Sequence, residues 1–320
     1  MTDKRNYAID VIKFIAVIFV TNSHYIPLYE DVNTAFATLG AHGNALFFFA
    51  SGYAITLSKS IALPFIDWYK NRIKRIWPTF IIWSILASLV FSKPITWKNI
   101  VLAKGYWFIQ CIMIAYIFLY FIIQYQRNNI RKITYLSILA IAFIFILSDK
   151  APGSIFHSKL HWICYFPSMI LGVYLGLNNK ANQIHHLKLK VIISFILYFI
   201  IMSVGKGKMN YLYYTQIIAI LPLNSFIYYL FYWLSSIDLN KLINTKWLWL
   251  PVYWIGSLSL EIYVVQFSII SNKFNHLFPL NTIIIFTFIV LAAYCLRIGI
   301  NLFNQTFSNE SYSWKKALKI

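Results

Sequence analysis

Residues 281–304 read NTIIIFTFIVLAAYCLRIGINLFN, an apolar run in which Arg297 is the one charged side chain. A helix needs about 20 predominantly apolar residues to cross the ~30 Å hydrocarbon layer of a bilayer, and this run is long enough. Runs of the same kind precede it at 8–27, 41–58, 76–92, 106–125, 133–148, 161–178, 190–205, 211–234 and 251–272. The sequence therefore predicts an all-α fold, a polytopic integral membrane helical bundle of about ten transmembrane helices.

The composition of the 320-residue chain supports this fold class. Hydrophobic residues make up 60% of the chain and charged residues 12%, about half the roughly 25% of a soluble domain. Because so few charges cannot coat a soluble surface, lipid must be the solvent for much of the exterior. Aromatic residues reach 19%, which fits belts at the two membrane interfaces. No loop is long enough for a second domain, so residues 1–320 are expected to form one transmembrane domain.

The net charge of +19 is explained by topology rather than by nucleic-acid binding, because the basic residues lie in short loops between apolar runs. An even number of spans puts both termini on one side. Loops on that side hold more than twice as many Lys and Arg residues as the others, which predicts cytoplasmic termini. Two further interpretations of the charge remain: attraction to anionic membrane lipids, and recruitment of an anionic cytosolic substrate.

The cysteines Cys111, Cys164 and Cys295 all fall in apolar runs and show no paired spacing. Neither a disulfide framework nor a metal-ligand spacing is present, so no metal is expected. The run from Ala8 lacks an evident cleavage site and is interpreted as a retained first helix, not a signal peptide. The long run 211–234 contains Pro222, which predicts a kink.

Charged side chains within the apolar runs are functional candidates, because an ionisable group in the bilayer costs several kcal/mol. Asp10 and Lys13 lie three residues apart on one helix face, so a local ion pair is the alternative to a functional role. Glu261 lies in the run 251–272. Arg297 near a helix end is alternatively a side chain that extends to the membrane interface.

His24 follows Lys13 by eleven residues, which is about three helical turns, so both are expected on one face about 16 Å apart. Imidazole is the commonest general base for deprotonating a hydroxyl group. The alternative is an ordinary interfacial histidine at a helix end.

A basic cluster precedes the third run. Arg72 and Arg75 lie one turn apart in the sequence RIKRIWP, residues 72–78. Guanidinium groups bind phosphate oxygens in a bidentate manner, so the cluster is a candidate phosphate clamp for coenzyme A. The alternative is a cluster that only sets the cytoplasmic side of the helix.

The second run contains Ser51 and Gly52 after three phenylalanines, residues 47–49. A small Ser-Gly pair in an apolar helix favours close helix packing. Alternatively, Ser51 hydrogen-bonds a ligand or orients a catalytic group.

Five elements together resemble the membrane-bound acyltransferase-3 family. Asp10 and Lys13 followed by His24 resemble the family's opening element, although Lys13 stands where the family usually has Arg. Gln266 likewise stands where the family has a late His, and Ala45 where many members have an acidic residue. The remaining matches are Gly43 to Tyr53, Arg72 to Pro78, Tyr106-Trp107-Phe108-Ile109 and Gly256 to Gln266.

The resemblance implies a membrane O-acyltransferase that takes its acyl group from cytosolic acetyl-CoA (acyl-CoA) and passes it to a carbohydrate or glycolipid acceptor. It implies O-acetylation in polysaccharide biosynthesis, on a surface polysaccharide or its lipid-linked precursor. The resulting hypothesis assigns catalysis to His24, Ser51 and Tyr263, and donor binding to Lys13, Arg72 and Arg75. Further candidates are Asp10, Trp107 and Glu261.

The alternative function is a multi-span transporter or flippase for a polysaccharide precursor, in which the intramembrane charges line a path. Against it, the sequence shows no two-half repeat of the kind that many transporters have. The high content of Ile, Asn, Lys and Tyr is typical of AT-rich bacterial polysaccharide loci, so a bacterial plasma (inner) membrane location is expected. The oligomeric state and the identity of the sugar stay open.

Overall fold

The structure, a computed structural model, describes residues 6–91, 103, 105–148, 154–157, 160–178, 184–206, 210–307 and 311–320. Within these ranges the regular structure is α-helix and short 3-10 helix, with no strand, which confirms the all-α class. The α-helices are α1 (Tyr7–Ser23), α2 (Gly40–Thr56), α3 (Phe65–Phe91), α4 (Trp107–Tyr125), α5 (Ile130–Leu147), α6 (His161–Cys164), α7 (Phe166–Leu177), α8 (Leu187–Gly205), α9 (Ile220–Ser236), α10 (Asn240–Asn244), α11 (Lys246–Ser257), α12 (Ser259–Ile269), α13 (Leu280–Thr306) and α14 (Trp314–Ala317). The 3-10 segments are Ile26–Tyr29, Thr34–Phe36, Lys59–Ala62, Arg127–Asn129, Ile155–His157, Asn210–Ala219 and Asn275–Leu277.

Six helical segments in the described part of the chain are long and apolar enough to cross a membrane, which makes this a membrane protein. The helices α1 and α2 have 17 residues each, at the lower limit of the length that spans a bilayer. The count of about ten spans therefore stays a prediction. The cytoplasmic location of the termini also stays a prediction, since part of the basic residues that support it, such as Lys4, Arg5 and Lys180, lies outside the described residues. The six segments are Phe65–Phe91, Trp107–Tyr125, Arg127–Leu147, Leu187–Gly205, Leu212–Ser236 and Leu280–Thr306.

Helix α5 shows why the solvent of these helices must be apolar. Its residues Leu136, Leu139, Phe143 and Leu147 recur at helical spacing, and each side chain is more than half exposed. A stripe of this kind on a soluble protein would be a large exposed apolar patch. In a bilayer it faces lipid, while the helix satisfies its own backbone hydrogen bonds.

The described residues group into two compact units whose segments alternate along the chain. Unit 1 takes its residues from 1–12, 44–68 and 111–243, and unit 2 takes its residues from 13–43, 69–110 and 244–320. Helices α1 and α3 contribute their first turns to unit 1 and the rest to unit 2, whereas α2 and α4 begin in unit 2 and continue in unit 1. No single cut of the chain would therefore separate the two units.

Glycines allow close packing of α2 against α7 in unit 1. A Cβ atom at Gly52 would overlap the carbonyl oxygen of Met169, and one at Gly172 would overlap the carbonyl oxygen of Phe49. The overlaps are with backbone, which cannot rotate away as a side chain can. Gly52 of the Ser-Gly pair in α2 thus allows the close helix packing that its sequence predicts.

Three apolar runs differ from their predicted form as follows. The run 211–234 begins as the 3-10 segment Asn210–Ala219, and Pro222 lies in the first turn of α9, where its missing N–H needs no helical acceptor. The run 251–272, predicted as one span, is instead the pair α11 and α12, bent by 76°. Helix α3 begins at Phe65, well before residue 76, and so includes Arg72 and Arg75.

We expect Gly172→Ala to lower the melting temperature of the purified protein in detergent, because even one methyl group would displace the backbone at Phe49. Overpacking of this kind costs about 1–3 kcal/mol. The matched control is Gly299→Ala in α13, where the nearest atom to the added Cβ is 4.0 Å away on Ile82. That variant should unfold at or above the wild-type temperature, since Ala is the better helix former. A Gly172→Ala protein as stable as wild type would contradict the packing argument.

Candidate active site

His24 is the first residue after α1, and a backbone turn fixes its position. The helix ends at Ser23, and the N–H of His24 donates a hydrogen bond to the carbonyl oxygen of Thr21 at 3.1 Å. The half-buried imidazole packs edge-on against Phe267 of α12, with 4.7 Å between ring centroids. The ring is thus held against a helix in unit 2 and keeps part of its surface accessible.

Phe267 belongs to an aromatic cluster in unit 2, formed by Phe80, Tyr106, Phe108, Tyr263 and Phe267. The ring of Phe267 lies 5.5 Å from that of Tyr263 and 5.7 Å from that of Tyr106. Phe108 contacts Tyr263 at 5.2 Å, and Phe80 contacts Tyr106 at 5.1 Å. These contacts bring together two sequence elements that are far apart in the chain, one around residues 106–109 and the other within 256–266.

A hydrogen bond ties the cluster to the backbone of α12. The hydroxyl of Tyr106 donates to the carbonyl oxygen of Val264 at 3.3 Å. Trp107, the next residue, is half-buried, and its ring lies 6.1 Å from that of Phe108. Tyr263 is almost fully buried within the cluster. Of the sequence candidates, His24, Trp107 and Tyr263 are therefore in or directly beside this group of rings.

Glu261 and Arg297 form a buried ion pair at the bend between α11 and α12. The Nε and one terminal nitrogen of Arg297 donate to the two carboxylate oxygens of Glu261 at 2.7 and 2.8 Å. The same terminal nitrogen donates to the carbonyl oxygen of Ser257, the last residue of α11, at 2.9 Å. The final carbonyls of a helix lack helical partners, so the guanidinium satisfies both the broken helix end and the carboxylate.

This pair gives Glu261 and Arg297 a structural role that sequence reasoning left open. Arg297 does not simply extend to the membrane interface, because its side chain is three-quarters buried and bound in a bidentate manner. The pair fixes the start of α12 against α13, and α12 carries Tyr263 and Phe267. We call this arrangement of Arg297, Glu261 and the Ser257 carbonyl the bend clamp.

The two arginines of the candidate phosphate clamp lie in different environments on α3. Arg72 is 8% exposed, whereas Arg75 is exposed. Arg72 precedes Phe80 of the aromatic cluster by eight residues, or about 12 Å along the helix. Lys13 is half-buried in α1 and precedes His24 by about 16 Å. Arg72 therefore lies about two helical turns before Phe80, and Lys13 lies about three turns before His24.

Two sequence candidates, Ser51 and Asp10, belong to unit 1 rather than to unit 2, where His24 lies. The hydroxyl of Ser51 is hydrogen-bonded to that of Tyr116 at 2.6 Å, and the Tyr116 ring packs against Trp68 at 6.0 Å. Asp10 is buried in α1. Sequence reasoning missed Phe267, for which the one signal is its position one helical turn after Tyr263.

A crevice of about 310 Å³ lies at the end of α1. Its lining includes residues that precede and follow His24 in the sequence, although His24 itself is not among them. Asn22 lines this crevice and is fixed by two hydrogen bonds. Its side-chain nitrogen donates to the carbonyl oxygen of Phe36 at 2.8 Å, and its side-chain oxygen accepts from the Tyr29 hydroxyl at 2.8 Å. Burial raises the pKa of Tyr29, so this hydroxyl stays protonated as a donor. The lining residues are Ile18, Thr21, Asn22, Tyr25, Tyr29, Thr282, Ile283 and Phe286.

A protein-family model described as an acyltransferase domain matches residues 6–301 of the chain. The chain belongs to the acyltransferase-3 family. The match includes α1 to α12 and most of α13, and with them His24, the aromatic cluster and the bend clamp. Together with the membrane-spanning helices, this membership makes the chain a membrane acyltransferase. Comparisons with curated proteins and with solved structures give no match.

Breaking the bend clamp of this acyltransferase should destabilise it strongly. We expect Glu261→Gln and Arg297→Met each to lose about 3–5 kcal/mol, because removal of one partner leaves an uncompensated polar or charged group in the interior. The double variant Glu261→Leu with Arg297→Met should recover part of the loss, since no buried charge is left. Melting temperatures in detergent test this. Single variants that unfold at the wild-type temperature would show that the pair contributes nothing.

Proposed function

We propose that this protein transfers the acetyl group of cytosolic acetyl-CoA to a sugar hydroxyl of a surface polysaccharide or its lipid-linked precursor. It does so in the bacterial plasma membrane, with both termini in the cytoplasm. The observation that carries the proposal is the His24 imidazole, which is partly accessible and held against the aromatic cluster in a chain of the acyltransferase-3 family. Imidazole is the side chain best suited to take a proton from a hydroxyl near neutral pH.

The proposed reaction has one proton acceptor, the imidazole of His24, and one electrophile, the thioester carbonyl carbon of acetyl-CoA. His24 takes the proton of the sugar hydroxyl while its oxygen attacks the thioester carbonyl. The tetrahedral intermediate then expels the thiolate of coenzyme A, which recovers the proton from the imidazolium. The products are the sugar acetate and free coenzyme A, and no other reactant is needed. A covalent acetyl-His24 intermediate is a variant of the same chemistry.

Tyr263 is the better candidate for stabilising the developing oxyanion. Its side chain is almost fully buried in the aromatic cluster that contacts His24 through Phe267. A hydroxyl donor in a site that excludes water stabilises an oxyanion more than it would in water. The hydroxyl of Ser51 is engaged with Tyr116 in unit 1, so Ser51 is assigned a supporting role.

The donor is assigned to the cations Arg72, Lys13 and Arg75. A buried guanidinium interacts with phosphate more strongly than an exposed one, because the dielectric constant around it is lower. Arg72 therefore has the main role, and Arg75 supports it from the surface. The 12–16 Å estimated along α3 and α1 between these cations and the aromatic cluster is comparable to the length of an extended pantetheine arm.

The acceptor is assigned to the region around His24. Aromatic rings offer flat apolar surfaces with polar edges, which suit the mixed surface of a sugar. The crevice at the end of α1, which is lined by residues that precede and follow His24 in the sequence, combines apolar side chains with the hydroxyl and amide groups of Thr21, Asn22 and Tyr29. Such a lining suits an amphipathic acceptor, with sugar and lipid portions.

A transporter or flippase is the second candidate, and the 76° bend between α11 and α12 favours it, because many transporters bind substrate at broken helices. The bend clamp argues the other way, because the charges of Glu261 and Arg297 are bound to each other. Release of free coenzyme A that depends on added acceptor would distinguish acyl transfer from transport.

We expect His24→Ala to reduce acetyl transfer by the purified protein by about 10²–10⁴-fold, because a general base contributes that much to the rate. The melting temperature should stay close to that of wild type. The matched control is His276→Ala, which removes an exposed imidazole in another loop of unit 2 and should keep full activity. Acetyl transfer by His24→Ala at the wild-type rate would refute the role of His24.

We expect Arg72→Ala to weaken acetyl-CoA binding by about 10- to 100-fold, the equivalent of one lost charge-assisted hydrogen bond. Arg75→Ala should have a smaller effect that shrinks further at high salt, because an exposed charge is screened. Titration calorimetry with each variant measures both. An acetyl-CoA affinity unchanged in Arg72→Ala would remove this residue from the donor site.

A further inference from the structure

Gln266 of α12 is a buried side chain whose carboxamide is unused in the structure. The residue is 0% exposed. Neither its Oε1 nor its Nε2 has a hydrogen-bond partner among the residues that the structure describes. A buried amide that has lost its contacts with water and gained none with protein is destabilising, and native structures contain few. A bound ligand would supply the missing hydrogen bonds, and the place of Gln266 in the fold bears on which ligand that is.

Gln216 shows how this protein satisfies a structural glutamine at the same depth. It is also 0% exposed, but its Oε1 accepts from the N–H of Ile155 at 2.8 Å. Its Nε2 donates to the carbonyl oxygen of Gly205 at 2.9 Å. Both halves of that amide therefore hold backbone groups together. Gln266 has no comparable structural role, although it is equally buried.

Gln266 is the chain neighbour of a residue that contacts the candidate catalytic group. It is the residue before Phe267, whose ring contacts the imidazole of His24 at 4.7 Å. It follows Tyr263 by three residues, so the two side chains leave α12 about 60° apart. Gln266 thus lies on the helix that carries two rings of the aromatic cluster, within unit 2.

We propose that the carboxamide of Gln266 binds the sugar acceptor by hydrogen-bonding one of its hydroxyl groups. The inference rests on the acyl transfer proposed above and adds a specificity residue to it. A carboxamide offers a donor and an acceptor side by side, which complements a hydroxyl that both donates and accepts. A phosphate or carboxylate would leave the Oε1 atom facing negative charge. A carboxamide does not titrate near neutral pH, so the role is binding and orientation, with proton transfer left to His24.

The consequence is selectivity for the hydroxyl pattern of the sugar. A site built to hydrogen-bond a hydroxyl rejects an analogue that lacks it, because the buried amide is then left without a partner. An amide of the pantetheine arm has the same hydrogen-bonding pattern as a hydroxyl. A test of this role must therefore measure the binding of the donor and of the acceptor separately.

The test is Gln266→Met, which keeps the volume of the side chain and removes its hydrogen bonds. Methyl β-D-glucoside, methyl β-D-galactoside and methyl α-L-rhamnoside serve as acceptors with acetyl-CoA, and free coenzyme A is measured with a thiol reagent. We expect the KM for the glycoside to rise by about 10- to 100-fold with the KM for acetyl-CoA unchanged. The matched control is Gln216→Met, which should leave both KM values unchanged.

Stability is the second readout, and it moves in opposite directions for the two variants. Gln266→Met should melt at or above the wild-type temperature, because an unsatisfied amide is replaced by an apolar group of similar shape. Gln216→Met should melt lower, because it leaves the Ile155 N–H and the Gly205 carbonyl without their partners. A merely structural role for Gln266 would instead lower the melting temperature of its variant.

The outcomes separate this inference from the proposed function. Wild type that releases no coenzyme A with any of the glycosides would count against acyl transfer to these sugars, and the melting temperatures would still decide whether Gln266 is a structural residue. Active wild type together with an unchanged glycoside KM in Gln266→Met would overturn the acceptor role and point to a bound water. A rise in the KM for acetyl-CoA alone would assign the amide to the donor, which also overturns it.

Discussion

Hydrocarbon offers no hydrogen bonds, and the rest of this structure depends on that constraint. A backbone in lipid must satisfy its own polar groups, so the long apolar runs fold as helices. Where α11 bends into α12, the helical hydrogen bonds are interrupted, and Arg297 donates to the carbonyl of Ser257. The positive charge that this introduces is balanced by Glu261. The bend clamp thus allows a 76° break, and the break orients the helix that carries Tyr263, Gln266 and Phe267.

The same constraint makes the difference between satisfied and unsatisfied polar side chains important in this interior. Gln216 bridges two backbone groups, and Ser51 shares a hydrogen bond with Tyr116. These side chains stabilise helix contacts in unit 1. Gln266 alone of these three has no such partner in the described structure, and it is the residue before Phe267, whose ring contacts His24. A polar group kept at a cost to stability is best explained by binding, since binding supplies the missing partner.

Sequence patterns predicted most helices and named some residues of the candidate site. The runs 106–125 and 281–304 match α4 and α13 closely. A long apolar segment in lipid must satisfy its backbone hydrogen bonds internally, and the α-helix does so. The resemblance to the acyltransferase-3 family also holds. The bend within 251–272 was not predictable, because it depends on a guanidinium 40 residues further along the chain. The different environments of Arg72 and Arg75 depend in the same way on which face of α3 is covered.

The sequence by itself determined the class of solvent, the helical secondary structure and the family, since these follow from composition, apolar length and ordered motifs. Tertiary structure alone decided which polar side chains have partners. It paired Glu261 with Arg297, engaged Ser51 with Tyr116 and set the ring of Phe267 against His24. The reason is physical: a hydrogen bond or ring contact needs two groups within a few ångströms, and residues distant in the chain reach that separation only when helices pack.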